Sequence, residues 1–391
     1  MGHSYVSEVS TQRPDVVVIG AGIVGAACAH ELAAQGLNVL VIERAGVGGG
    51  VTAAGMGHIV VMDDTPAEFA LSGWSRTLWH ELAQQLDARH AFVRCGTVWV
   101  AADEEEYALA QTRQRALHDA GVACSTLDAQ QLREAEPGLR ADLVGGMIVH
   151  DDAVAYAPTV STWLLTQPSR GRVTCRTNTL VTHVDRRGVH LASGEIVATG
   201  AVLIANGLQA VDLLPRVPLQ AKKGHLLITD RYPGTIRHQI LELGYIKSAH
   251  NASGTSVAFN VQPRPTGQLL IGSSRQFDST DPAIEPAILA RMLQRAAHFL
   301  PQLPALNAVR AWTGFRPASS DGMPLIGPAG PFAEADSHPS LWLATGHEGL
   351  GVTTALGTAK LIAAQLLGHA AAIDPTPYLP TRFVAEGTVH A

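Results

Sequence analysis

The stretch Asp15-Val-Val-Val-Ile-Gly-Ala-Gly-Ile-Val-Gly25 decides the fold. Its first half is a short apolar run closed by a turn glycine, the pattern of a strand buried on both faces. From Gly22 to Gln35 the spacing changes to helical period, and Gly36 stands where a C-cap belongs. Asn38-Val-Leu-Val-Ile-Glu43 reads as a second buried strand, which completes a βαβ unit. Gly20-Ala21-Gly22-Ile23-Val24-Gly25 therefore has the strand before it and the helix after it that a dinucleotide fingerprint requires. The first glycine permits the tight turn, the second lets backbone approach a pyrophosphate, and the third lets helix and strand pack closely. The helix N-terminus offers that anion unpaired N–H groups and a positive dipole end. Glu43 is placed to bond a ribose hydroxyl, and its charge argues against a 2′-phosphate and hence against NADP.

The rest of the chain suits an enzyme built around this unit. At 391 residues it exceeds one typical core, so two or three lobes are expected. A composition 46% hydrophobic and 16% charged excludes disorder for most of its length. The formal net charge of −6 leaves no basic footprint for nucleic acid. Cys28, Cys95, Cys124 and Cys175 lie far apart with no C-x-x-C pair, so neither a zinc site nor an iron–sulfur cluster is read, and no metal is expected. The apolar stretches 16–34 and 355–373 carry glycines or polar residues that argue against a membrane span. A cytoplasmic protein is expected.

Further along, helices are expected from Pro66 to Leu86, Asp103 to Ala120, Pro158 to Leu165, Pro286 to Leu300 and Leu350 to Leu367. Arg44 to Gly57 reads as a Gly/Ala-rich loop, Val98 to Ala101, Ala201 to Ala205 and Leu341 to Ala344 as strands, and 218–272 as strand-rich. Residues 1–13 and 375–391 read as tails, the second extended.

Two features favour FAD over NAD. The small-residue run ending in Ala54, Gly55, Met56 and Gly57 follows Glu43-Arg44 and lets backbone lie against a large ligand. Ala344-Thr-Gly346-His-Glu-Gly349-Leu350-Gly351-Val352 follows a strand and opens the last helix, which puts a second helix N-terminus near the cofactor. A reduced flavin carries negative charge that such a terminus stabilises, whereas nicotinamide needs no such feature.

These motifs, with Leu180-Val-Thr-His-Val184, Trp312-Thr-Gly-Phe-Arg-Pro317, Asp321-Gly-Met-Pro-Leu-Ile-Gly327 and Leu341-Trp-Leu-Ala-Thr-Gly-His347, run nearly the length of the chain. In that order they resemble the D-amino-acid oxidase-like flavoproteins, which include glycine oxidase and the sarcosine oxidase β-subunits. The resemblance implies an α/β, bilobal fold: a Rossmann-like FAD-binding domain and a second, antiparallel-sheet substrate domain. The first would take residues 14–90, 151–216 and 310–372, and the second 91–150 and 217–309. It implies oxidation of a secondary or D-configured amino acid, of D-hydroxyproline, opine, sarcosine or glycine type, by hydride transfer to flavin N5. Arg316 matches the carboxylate clamp of the family, a role that suits a bidentate guanidinium. Val181 matches the position whose backbone meets the adenine, and Gly207 is counted with the cofactor contacts.

Gly349 stands where glycine-oxidase-like members carry a second Arg, so Arg264 or Tyr245 is a candidate for the missing contact. His58 follows the flavin loop, as a lining residue or a point of covalent attachment. His347 and Glu348 are read either as groups titrating near the flavin or as helix caps. The run 54–64 with Glu68-Phe-Ala-Leu71 also resembles catalytic subunits of heteromeric D-hydroxyproline and opine dehydrogenases. That implies an iron–sulfur or second flavin subunit as electron acceptor. A flavin 2-hydroxyacid dehydrogenase and a non-catalytic FAD-holding subunit are the competing readings.

Overall fold

Val16–Ile19 is fully enclosed because all four side chains are aliphatic and both faces of the strand are covered. It lies inside a six-stranded sheet, paired in parallel with Val39–Ile42 on one side and Ala201–Ile204 on the other. The full order is Leu325–Pro328, Leu341–Thr345, Ala201–Ile204, Val16–Ile19, Val39–Ile42, Val173–Arg176, with only the Leu325–Pro328 edge antiparallel. This computed structural model describes residues 13–167, 169–244, 255–277 and 279–383. Tyr245 lies outside them.

One face of the sheet is covered by helices Ile23–Ala34, Ala157–Thr166 and Gly351–Leu367, with Pro66–Ala83 packed behind. The other face packs on a three-stranded antiparallel sheet that includes Val181–Asp185. Among the described residues, one helical stretch, Glu348–Leu367, is long and apolar enough to cross a membrane. It instead packs against Ile23–Ala34 and Pro66–Ala83, burying Ala355, Ala359, Leu361 and Ile362.

The second body is an eight-stranded sheet in the order Ala308–Ser319, Leu219–Arg231, Gln268–Arg275, Ser256–Pro263, Gln239–Glu242, Thr97–Ala101, Gly145–Val149, Cys124–Asp128. Its pairs are antiparallel except Gln239–Glu242 with Thr97–Ala101. Helix Pro286–Phe299 buries Ile288, Met292, Ala296 and Phe299, one stripe at helical spacing, against this sheet. Phe299 stacks on Phe259 at 4.6 Å.

Three expectations are corrected. The Arg44–Gly57 loop contains a short helix, Gly50–Ala54, held where Thr52 Oγ1 accepts the Ile23 N–H at 3.1 Å. The boundary expected at residue 310 falls inside the strand Ala308–Ser319, which pairs along its length with Leu219–Arg231. One face carries Arg310, Trp312, Gly314 and Arg316, and the other Val309, Ala311, Thr313 and Phe315, an alternation that the sequence reading passed over. The extended tail expected from 375 is instead docked over its first part. Tyr378 is buried and donates to the Ala67 carbonyl at 2.7 Å, and Arg382 pairs with Asp321 at 2.6 Å.

Candidate active site

The first helix begins at a turn that only glycine fits. Gly20 has φ +107°, and a Cβ there would sit 2.7 Å from the Ala205 carbonyl oxygen. At Gly25 a Cβ would lie 2.1 Å from the Gly20 carbonyl oxygen, so this residue sets how closely helix and strand approach. No side chain caps the helix from Gly22. Glu43 Oε2 accepts the Ala21 N–H at 2.9 Å and Oε1 accepts the Ala45 N–H at 2.8 Å, which fixes the carboxylate beside the turn.

This turn opens into a cleft of about 840 Å³ that runs between the two sheets. At one end lie Gly20, Gly22, Ile23, Val24, Glu43 and Arg44, with Val181 and Gly207 beside them. Ala54, Gly55, Met56, Gly57 and His58 line its middle, where Gly57 has φ +79° and a Cβ would strike the Ala155 carbonyl at 2.0 Å. At the far end are Arg316, His347, Gly349, Leu350, Gly351 and Val352. The helix Gly351–Leu367 also starts here without a side-chain cap at Leu350. Two helix N-termini, neither capped by its own N-cap residue, thus face one elongated cleft, as a dinucleotide with an anionic bridge and an electron-accepting ring needs. The residues present fit FAD.

Of the residues singled out in the sequence, Ala21, Gly25, Gly346 and Arg264 do not line the cleft. The first two shape the turn, and Gly346 (φ +77°) reverses the chain before His347. Arg264 folds back onto the flavin loop, donating to the Met56 carbonyl at 2.9 Å and approaching that of Ala155 at 3.5 Å. It braces the loop from behind the cleft lining. His347 and Glu348 do not cap the last helix with their side chains. His347 Nε2 meets Thr358 Oγ1 at 3.0 Å, and burial pushes its pKa down to about 4, which keeps the ring neutral. Glu348 Oε2 accepts the Gly349 N–H at 2.5 Å.

Arg316 extends from Ala308–Ser319 toward the Ser274 carbonyl, 3.3 Å from Nη2. Lys222 stands directly across from it in register, and Arg275 is near. Burial pushes the Glu348 carboxyl up, yet the Arg316, Arg275 and Lys222 cations outweigh it and hold the group below the usual carboxylate range. A Cβ at Gly349 would meet nothing nearer than Arg316 Cδ at 3.8 Å, so the space beside the guanidinium stays open.

His58 is enclosed by three amides. Its Nδ1 contacts Gln239 Oε1, its Nε2 contacts Asn260 Nδ2 at 3.2 Å, and Gln262 Nε2 lies 3.1 Å from Nδ1. Burial pushes this imidazole down to about 4 as well. Sequence reasoning missed Lys222, Arg275, Asn260 and Glu68. The pair Lys222-Lys223 within a strand was a signal for the first, while Asn260 gives none before the fold is known.

Glu68 lines the cleft near Leu350, and burial together with Asp64 pushes its carboxyl up to about 7. Protonation is favoured in the folded chain, whereas the unfolded chain releases the proton near 4.5. That contribution is complete below the unfolded value and is lost as pH rises through 7. Glu68→Gln should therefore raise Tm more at about pH 8 than at about pH 5. Thermal melts at the two values check this, and an equal shift contradicts it.

Over residues 15–365 the chain matches the family described as FAD dependent oxidoreductase (DAO). It is 28% identical to a glycine oxidase of Pseudomonas aeruginosa, across 93% of this chain and 98% of the relative. It is 26% identical to one of the subunits of opine oxidase from Rhizobium meliloti, across 95% and 98%. The crystal structure of glycine oxidase from Geobacillus kaustophilus superposes with a TM-score of 0.82 at 25% identity, covering 95% of this chain and 99% of that one. With the fingerprint, the second helix terminus and the cleft between the sheets, these likenesses lead to one conclusion: the chain belongs to the FAD dependent oxidoreductase (DAO) family and is an FAD-dependent oxidoreductase.

Proposed function

We propose that this enzyme oxidises the carbon–nitrogen bond of a secondary or D-configured amino acid to the imine. The observation that carries the reading is Arg316, extended into the cleft beside the open space at Gly349. A guanidinium there takes the substrate carboxylate and turns the α-carbon toward the cofactor position. Gly20, Gly22 and the first helix N-terminus hold the pyrophosphate, Glu43 the ribose, and the Gly351–Leu367 terminus the far end of the ring system. When bound, FAD supplies the hydride acceptor at N5. Leu226, Leu241 and Met56 give the cleft apolar walls, which limit water near the reacting carbon. Water then hydrolyses the released imine.

We assign the six-stranded sheet and its helices to the cofactor-binding domain, with the second boundary moved past Ser319, and the eight-stranded sheet to the substrate domain. The likeness to one subunit of an opine oxidase supports an electron-accepting partner chain, and no His/Cys/Asp/Glu group suited to a metal occurs among the described residues. The four unpaired cysteines support a reducing, cytoplasmic setting. A dye-linked assay with amino acids and the matching 2-hydroxy acids tests the proposal. Turnover of amino acids supports it; turnover confined to hydroxy acids overturns it.

A further inference from the structure

Two cations stand on one face of the eight-stranded sheet, and a glycine decides how they divide the space. Arg316 lies on the strand Ala308–Ser319, with Lys222 directly across from it in Leu219–Arg231. The guanidinium reaches over that second strand to the Ser274 carbonyl on the next one, 3.3 Å from Nη2. Gly224 permits the crossing, because a Cβ there would meet Nη2 at 2.9 Å and the Ser274 carbonyl oxygen at 3.2 Å. Lys222 and Gly224 share a strand face, roughly 7 Å apart by strand geometry. The two positive groups are therefore spread along the cleft wall rather than stacked at one point.

The α-carboxylate of an amino acid satisfies Arg316 and leaves Lys222 without an anion of its own. The Lys222 side chain lines the cleft and is 20% exposed. Among the described residues its ammonium contacts the Glu348 carboxylate at 3.9 Å and the Phe277 ring at 5.4 Å. The first is too long for a hydrogen bond. Glu348 gives its other oxygen to the Gly349 N–H. Burial pushes the Lys222 ammonium down; Glu348 opposes this, while Arg275 and Arg316 add to it. A half-buried ammonium among like charges favours a further anion. Room for one exists, because the open space at Gly349 borders Arg316 on one side and follows Glu348, the Lys222 partner, on the other.

We propose that Lys222 binds a second carboxylate of the substrate, so that the enzyme selects dicarboxylic amino acids over monocarboxylic ones. This rests on the amino-acid reading of the cleft. The α-carboxylate goes to Arg316. The second, carried on the nitrogen or on the side chain, lies along the wall and meets the Lys222 ammonium. A neutral group of the same shape leaves that ammonium unpaired.

The FAD-loaded enzyme and its Lys222→Met variant are compared on acid and amide pairs of matched shape. One pair is D-glutamate and D-glutamine, with the second group on the side chain. The other is N-(carboxymethyl)glycine and N-(carbamoylmethyl)glycine, with that group on the nitrogen. The readout is the acid-to-amide ratio of kcat/KM, or of affinities from the flavin absorbance shift where turnover is too slow. The parent should favour the acid by ~10-fold in at least one pair, which identifies where the second carboxylate is carried. In Lys222→Met the ratio should fall close to unity, and Lys222→Arg should restore most of it. A parent that takes acid and amide alike overturns the assignment. So does a variant that loses equally on both, the result expected if Lys222 serves only the flavin or the fold. Should Lys222→Met fail to hold FAD, glutarate and butyrate are compared as ligands of the parent. Tighter glutarate supports the subsite, and equal affinity overturns it. If glutarate outbinds butyrate but no amino acid is oxidised, the amino-acid reading itself has failed. If amino acids are oxidised without preference for the acid, only the Lys222 assignment falls.

Discussion

Arg316→Ala should lower kcat/KM by about 10²- to 10³-fold while the purified protein stays yellow. The guanidinium reaches past Gly349 from the strand Ala308–Ser319, and alanine leaves a substrate carboxylate unpaired in a partly buried cleft. The loss should appear in both constants. KM rises because the carboxylate loses its partner, and kcat falls because the α-carbon is no longer held in line. Arg316→Lys should recover only part, since an ammonium cannot grip a carboxylate in two places. Steady-state kinetics with an FAD content measurement decide the matter. A variant with parental kcat/KM contradicts the clamp, and a colourless one shows that Arg316 serves the fold.

Gly25→Val should remove FAD binding altogether. The added Cβ would lie 2.1 Å from the Gly20 carbonyl oxygen, a backbone atom that cannot turn aside as a side chain can. The helix Ile23–Ala34 would have to lift from Val16–Ile19, taking the pyrophosphate-binding terminus with it. Gly73→Ala is the matched control. Gly73 lies in the helix Pro66–Ala83 with nothing within 4 Å of a new Cβ, so alanine should raise stability by about 0.5–1 kcal/mol and leave FAD in place. Flavin absorbance per mole of protein reads both variants. Full FAD content in Gly25→Val would refute the packing role.

What was legible in the sequence follows from how local each signal is. The Val16–Ile42 unit could be read because strand, glycines and helix lie within one short run, and Gly25 answers to Gly20 within it, although Gly20 itself faces Ala205 far along the chain. Arg316 was legible as part of a motif but its strand was passed over, although Val309, Ala311 and Phe315 alternate along one face of it, because Arg310, Gly314 and Arg316 interrupt the apolar pattern between them. The fold of the Arg264 guanidinium onto Met56 and Ala155 was not legible, because nothing in its sequence neighbours tells of it. The docked segment around Tyr378 needs a pocket made by residues some 300 positions earlier, Ala67 among them. The Gln239–His58–Asn260 contacts are farther still from local reading, because they join three separate strands.

The central claim is that one cleft holds FAD and an amino acid whose amine is oxidised. Anaerobic mixing of the yellow, FAD-loaded protein with amino acids tests it most directly, because the enzyme's own flavin is the only electron acceptor present. The expected result is that at least one secondary or D-configured amino acid bleaches the flavin band, and that Arg316→Ala bleaches far more slowly at equal FAD content. A flavin band that persists with every amino acid tried, or that bleaches with 2-hydroxy acids alone, would contradict it.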